Sequence, residues 1–259
     1  MILSDIIKAK RGQIERSKKR ITLEYIKHRL SRKNIVRRNF KHAISQANNI
    51  NIIAEIKKAS PTRGLIREDF DVRRIARECQ INGAAAISVL TEEDFFKGRL
   101  NYIKQVKKVT NLPVIRKDFI IDEYQVYESV SAGADAVLLI ASLLKTETLR
   151  EFISIAGKFS MDCVVEAHSR GELDKALEAG AEIIGINNRN LTDFSIDMGT
   201  TKNLAPFVPK KKVVISESGF SSKFDFEPFR GEIDAVLVGT AILKSQDREA
   251  LLKELSGKA

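Results

Sequence analysis

What the chain lacks narrows it first. Its longest apolar runs, such as residues 136–141, fall far short of the ~20 residues that a membrane-spanning helix needs, so no bilayer span is expected. The start, MILSDIIKAKRG, has no apolar stretch of signal-peptide length, and a cytoplasmic chain is the expectation. Cysteine is scarce. Cys79 lies in a helical pattern and Cys163 in a strand pattern, so both read as core thiols rather than a disulfide. His28, His42 and His168 are too scattered for a zinc set, and His168 reads as a surface-loop residue. Neither G-x-G-x-x-G nor a P-loop occurs, which leaves a nucleotide cofactor without support. No low-complexity linker divides the 259 residues, a length common among single α/β barrels.

Charge is present but unevenly placed. Residues 1–42 hold 14 Lys or Arg against three acids, an excess of +11. The remaining 30 basic and 31 acidic residues balance at −1, so this segment carries all of the formal +10. A run of this kind can touch nucleic acid, border a site for an anionic substrate, or form a solvated helix surface.

Residues 1–48 read as helix, with Ile2, Ile6 and Ile7, then Leu23, Ile26 and Leu30, at helical spacing and no proline between them. From residue 51 the pattern changes. Short apolar runs predict strands at Ile52–Ile56, Ala85–Leu90, Val114–Lys117, Ala136–Ile140, Cys163–Glu166, Ile183–Asn187, Val213–Ser216 and Ala235–Val238. Amphipathic segments lie between them at Phe70–Gln80, Glu123–Ala132, Thr146–Phe159, Arg170–Ala179, Met198–Phe207, Ser221–Arg230 and Gln246–Leu255. Gly83, Gly133, Gly180 and Gly231 recur just ahead of strands, 50, 47 and 51 residues apart, where a left-handed residue ends a helix. Alternation of this kind calls for parallel strands joined by right-handed crossovers. Eight such units predict a single (β/α)8 TIM barrel over residues 1–259, with residues 1–48 as a helical extension of it rather than a separate module. Pattern alone also admits an open doubly wound sheet.

Charged residues sit where buried strands end. Glu55 and Lys57, two apart and so on one face, close the first strand; Lys117-Asp118 close the third and Glu166 the fifth. Asn187 closes the sixth, and Glu217 with Ser218 the seventh. A desolvated charge costs several kcal/mol unless paired or used, and the C-terminal strand ends of such a barrel hold its active site. One such residue could be a structural ion pair, as Asp118 is expected to be with a lysine. Several converging on one cleft form a catalytic set. Gly219 and Gly239 each leave a strand where the barrel fold binds phosphate on freed backbone amides, which points to a phosphorylated substrate.

At this point the chain resembles the indole-3-glycerol-phosphate synthases of tryptophan biosynthesis. The resemblance rests on IIAEIKKASPTRG (52–64), SVLTEEDFFKG (88–98), VIRKDFIID (114–122), VVEAH (164–168), GINNRNL (185–191), SESGF (216–220) and VLVGTA (236–241). It implies ring closure of 1-(2-carboxyphenylamino)-1-deoxyribulose 5-phosphate, with loss of CO2 and water, to indole-3-glycerol phosphate. It implies Lys117 as the general acid at the ketone oxygen, kept charged by surrounding carboxylates. Lys57 matches a substrate-binding residue that also bears on dehydration, and Glu166 and Glu55 match carboxylates of the later proton transfers; either Lys57 or Glu166 fits the second acid. Ser60, Ser218, Gly219, Gly239 and Thr240 fall on phosphate contacts or their loops. Phe96, Pro61 and Leu237 fall on the apolar walls around the anthranilate ring, and Asn187, Arg189 and Glu217 on the ribulose hydroxyls and carboxyl group. The basic helical N-terminus, residues 1–48, also resembles that family's extension over the barrel mouth, and no metal and no organic cofactor is implied.

Arg99, where a small serine is usual, and Phe220, where an aliphatic is usual, depart from the family's pattern and bear on local loop shape. The nearest alternative is a barrel of the ribulosyl-phosphate isomerase type, which uses a Cys or Asp acid–base pair at early strand ends. Here the first strand ends in Glu and Lys. A nucleic-acid-binding barrel would leave the cleft charges unexplained. The expected partner is therefore a small phosphorylated molecule, not nucleic acid or membrane. A monomer is expected, with association with other tryptophan-pathway enzymes left open.

Overall fold

Strands apolar at every position, rather than at alternate ones, must be covered on both faces. The computed structural model describes residues 2–47 and 49–257 and meets that demand with a closed barrel of parallel strands. They are β1 (Asn51–Ile56), β2 (Ala86–Leu90), β3 (Val114–Lys117), β4 (Ala136–Ile140), β5 (Asp162–Ala167), β6 (Ile183–Asn187), β7 (Val213–Glu217) and β8 (Ala235–Val238). β1 pairs with both β2 and β8, so no edge is left open. The open-sheet alternative is excluded.

Alternate residues of each strand enter two apolar layers. Ile53, Ile115, Val164 and Ile215 meet inside the barrel, while Ile52, Ala54, Val165 and Val214 face the helices outside. The inward parity, carried two residues further along each strand, reaches Glu55, Lys117, Glu166 and Glu217. The hydrophobic register of the strands thus aims these charges at the cavity.

The basic segment is not one helix. It forms α1 (Ile2–Arg20), α2 (Leu23–Ser31) and α3 (Phe40–Ala43); Met1 and Asn48 lie outside the described residues. Thr22 ends the first run by accepting a hydrogen bond from Tyr25 N, the cap that starts α2. α1 lies against the mouth: Ile6 is 1% exposed, Lys10 Nζ lies 2.7 Å from Asp118 Oδ1, and Gln13 Nε2 donates to Asp94. The chain then passes down the barrel wall, with α2 against the helix that follows β3. Phe40 and Ile44, both fully buried, fill the opposite end of the barrel. There the Arg38 and Lys41 amides donate to Asp135 and Asp162, which precede or begin β4 and β5. A segment expected over the mouth throughout therefore covers both ends. Arg37 explains why residues 32–39 leave the helix, since its guanidinium donates to the carbonyls of Val130, Ala134 and Phe159 at the far rim.

The helices between strands are α4 (Val72–Ile81), α5 (Asn101–Lys107), α6 (Glu123–Ala132), α7 (Thr146–Gly157), α8 (Arg170–Glu178), α9 (Gly199–Leu204), α10 (Thr240–Lys244) and α11 (Arg248–Ser256). α5 is missing from the sequence-predicted segments. Conversely, 221–230 is not an α-helix but two 3-10 turns, Lys223–Asp225 and Glu227–Phe229, the second holding a proline that removes a backbone donor. Gly83, Gly133, Gly180 and Gly231 all take left-handed φ, from +85° to +99°. Cys79 and Cys163 are free, buried thiols. Among the described residues no helix is long and apolar enough to cross a membrane.

Candidate active site

The C-terminal strand ends surround a cavity of about 370 Å³. Its lining includes Glu55, Lys57, Ser60, Pro61, Phe96, Lys117, Glu166, Asn187, Arg189, Glu217, Ser218, Gly219, Leu237, Gly239 and Thr240, every residue singled out from the sequence as a site candidate. Convergence of residues from 55 to 240 follows from the barrel, which brings all eight strand ends to one rim.

Lys117 is the centre of charge. Its Nζ donates to Glu166 Oε2 and to Glu217 Oε2, each at 2.7 Å. Lys57 Nζ donates to Glu55, two residues before it at the end of β1. Burial alone would lower the Lys117 pKa, but Glu166, Glu217 and Glu55 outweigh it and hold the ammonium charged well above the usual lysine range. The two carboxylates that share Lys117 are driven apart. Burial, with Glu166 and Glu55 nearby, pushes Glu217 up to about 7 against the pull of Lys117. Glu166 is also penalised by burial, yet Lys117 and His168 lower it below the usual carboxylate range. The site therefore holds a permanent cation beside one firm carboxylate and one carboxyl poised near neutrality.

Two glycines make room for this set. A Cβ on Gly185 of β6 would lie 2.5 Å from Glu217 Oε1, and one on Gly239 would overlap Glu55. Tight turns complete the floor. Ser218 and Gly219 both take left-handed φ, +70° and +98°, and Asn188 pins this turn by donating to Ser218 O and Ser216 Oγ. Gly239 precedes α10, and no side chain caps that helix start, so its amides face the cavity end of β8 unclaimed by a cap. Lys57, Arg63, Arg189 and Lys244 supply cations along the lining. Opposite lies an apolar wall, with Phe96 and Phe119 rings 6.2 Å apart.

Some lining residues escape a sequence reading. Leu3 and Ile6 reach the cavity from α1, and only the spacing of Ile2, Ile6 and Ile7 hinted at a buried face. Phe119 stood beside Lys117-Asp118 in sequence and was passed over. Asp118 behaves as expected: Lys10 and Arg116 clamp it at 2.7 Å and 3.0 Å, and they pull it down to about 2 despite burial. His168 does not. It is no surface-loop residue, since its Nε2 lies 3.4 Å from Glu166 Oε1 and its side chain is only 16% exposed. Of the two departures from pattern, Phe220 is buried edge-on against Phe226, whereas Arg99 is exposed and away from the cavity lining.

Comparison with known proteins bears on the same span. The family model described as indole-3-glycerol phosphate synthase matches residues 3–255. The indole-3-glycerol phosphate synthase of Endomicrobium trichonymphae is 45% identical, covering 98% of this chain and 99% of its own. That of Acetivibrio thermocellus is 43% identical, covering 98% of each. Among solved structures, 3-hexulose-6-phosphate synthase from Salmonella typhimurium superposes with a TM-score of 0.65 at 17% identity, over 80% of this chain and 97% of that one, a likeness of fold alone. Given a model match that spans all eight strands and relatives aligned nearly end to end, this chain belongs to the indole-3-glycerol phosphate synthase family.

Proposed function

We propose that the cavity converts 1-(2-carboxyphenylamino)-1-deoxyribulose 5-phosphate into indole-3-glycerol phosphate, CO2 and water, with Lys117 as the first general acid. The ring carbon bearing the carboxylate attacks the ketone carbon, and Lys117 Nζ gives its proton to the ketone oxygen. An alkoxide is a stronger base than an amine, so the transfer runs downhill even from a lysine held this firmly in its charged form. The bond to the carboxylate then breaks, CO2 leaves, and its electron pair restores the aromatic ring.

Dehydration follows. Lys57 protonates the departing hydroxyl, which leaves as water, and Glu55 takes the proton released as the indole forms. The contact between these two side chains supports the pairing, because Glu55 can hand the proton straight back to Lys57. Pro61, Phe96 and Leu237 flank the anthranilate ring, while Asn187, Arg189 and Glu217 hold the ribulose hydroxyls and carboxyl group. Ser60, Ser218, Gly219, Gly239 and Thr240 receive the phosphate, a job suited to freed amides. On this reading the chain acts as a monomer in the cytoplasm, where buried free thiols are stable.

The observation that carries the proposal is Lys117 Nζ at 2.7 Å from two carboxylates on the floor of one cavity. The test is direct. The chain has no tryptophan, so indole fluorescence excited beyond tyrosine absorption reports product against a dark protein background. Fluorescence that grows with the carboxyphenylamino sugar phosphate is expected; no signal with folded protein and saturating substrate would refute the assignment.

A further inference from the structure

The proposed reaction does not return every proton it uses. The substrate carboxylate leaves as neutral CO2, so each turnover consumes one proton. Lys57 and Glu55 pass theirs in a closed loop, and the deficit falls on Lys117. Something must carry a proton from solvent to a lysine beneath a bound substrate.

Behind Glu166 stands an arrangement suited to that task. Glu166 Oε2 accepts from Lys117, while Oε1 points the other way, buried and without a hydrogen-bond partner. His168 Nε2, equally buried and unpartnered, lies 3.4 Å from it. The other ring nitrogen, Nδ1, is 3.2 Å from Glu172 Oε2, and the His168 amide donates to the same oxygen at 2.8 Å. An ionised carboxylate only accepts, so Nδ1 carries a hydrogen. Nε2 and Glu166 Oε1 would then be two lone pairs face to face unless one proton lies between them. That proton has two homes: on Nε2, beside an ionised Glu166, or on Oε1, beside a neutral ring.

We propose that His168 is the proton-holding and positioning partner of Glu166, supplying through it the proton that recharges Lys117 in each turnover. The Nε2–H passes to Glu166 Oε1, the carboxyl turns to present it to Lys117 Nζ, and Nε2, buried at rest, regains a proton from water when rotation of the ring carries it to the partly exposed side next to Glu172. Burial lowers the affinity of the ring for that proton, but Glu172, Glu166 and Glu217 outweigh it and raise its pKa above the ordinary histidine range. These carboxylates, with Lys117 beyond Glu166, are the charged groups facing the ring.

The inference rests on the proposed function, in which Lys117 is the general acid and Glu166 holds it charged, so the experiment separates the two. Steady-state kcat and KM are measured across pH by indole fluorescence for the wild type and for H168Q, E172Q and E166Q. Glutamine keeps a donor to Glu166 Oε1 and cannot hold the shared proton. H168Q is expected to keep KM within about threefold and lose about tenfold to a hundredfold in kcat, less than the 10²–10⁴-fold typical of a directly acting acid or base. The wild-type kcat falls as pH rises through the histidine pKa; that limb disappears in H168Q. E172Q removes one charge while still accepting from Nδ1, so its limb moves to lower pH. Wild-type kcat with an unmoved limb in H168Q overturns the proposal, and if H168Q does not fold, an unmoved limb in E172Q does so instead. E166Q at full activity would topple the earlier role of Glu166 as well, whereas inactive E166Q beside fully active H168Q would remove only the histidine.

Discussion

Gly185→Ala changes one hydrogen for a methyl group, yet its effect should reach Lys117. Gly185 sits in the middle of β6, buried, with an ordinary strand conformation that alanine adopts without strain. The new Cβ would lie 2.5 Å from Glu217 Oε1 and 3.1 Å from Val164 Cγ1. Glu217 must therefore retreat by about half an ångström or more, and its 2.7 Å bond to Lys117 is what gives. A displacement near 1 Å at a reacting group costs up to about 10²-fold in rate, so kcat should fall about tenfold to a hundredfold. Overpacking a core of this density costs about 1–3 kcal/mol, or roughly 2–4 °C in Tm for each kcal/mol. Gly171→Ala is the control. No atom lies within 4 Å of its added Cβ, and alanine in a helix is favourable by up to about 1 kcal/mol over glycine. Progress curves by indole fluorescence, with thermal melts of both variants, decide the matter. A Gly185→Ala protein with wild-type kcat and Tm would refute the idea that this glycine carves the seat of Glu217.

Two further outcomes follow from buried charge. Lys10→Met should destabilise the chain by about 3 kcal/mol, because breaking a buried pair strands the remaining charge and Arg116 only partly compensates Asp118. A Tm within a degree of wild type would show that α1 is not held to the mouth by this contact. Glu217 keeps its proton up to about pH 7 when folded against 4.5 unfolded, so its contribution to stability is full below pH 4.5 and is lost as pH rises through 7. Glu217→Gln should therefore flatten the decline in urea midpoint between those pH values; an identical decline in both proteins would contradict the raised carboxyl.

Much of this was legible in the chain because burial on both faces leaves a strong mark. β3, β4, β6 and β8 match the expected strands end to end, since β4 and β8 are unbroken apolar runs, β8 stopped by Gly239, and β3 and β6 start apolar and end on Lys117 and Asn187. The charges at their ends were equally plain, and the inward parity of each strand did the rest. Short elements were less visible. α5 has seven residues and no side-chain cap at its start, and the hairpin of Ala59–Ser60 with Gly64–Leu65 has two residues per strand, too few to show a period. The split of the basic segment depends on carbonyls and carboxylates presented by distant parts of the chain, to which Arg37 and Arg38 bind. His168 was misread for a similar reason. A lone histidine after a strand looks solvent-borne until Glu172, one helical turn along, is seen to turn it back onto Glu166.

The claim at the centre is that Lys117, held charged by Glu166 and Glu217, delivers the proton that starts ring closure. Substrate turnover by Lys117→Met tests it most directly, once a melting curve shows the variant folded. The account predicts a loss of kcat of at least about 10²-fold, the contribution expected of a positioned general acid. Turnover at the wild-type rate would contradict it.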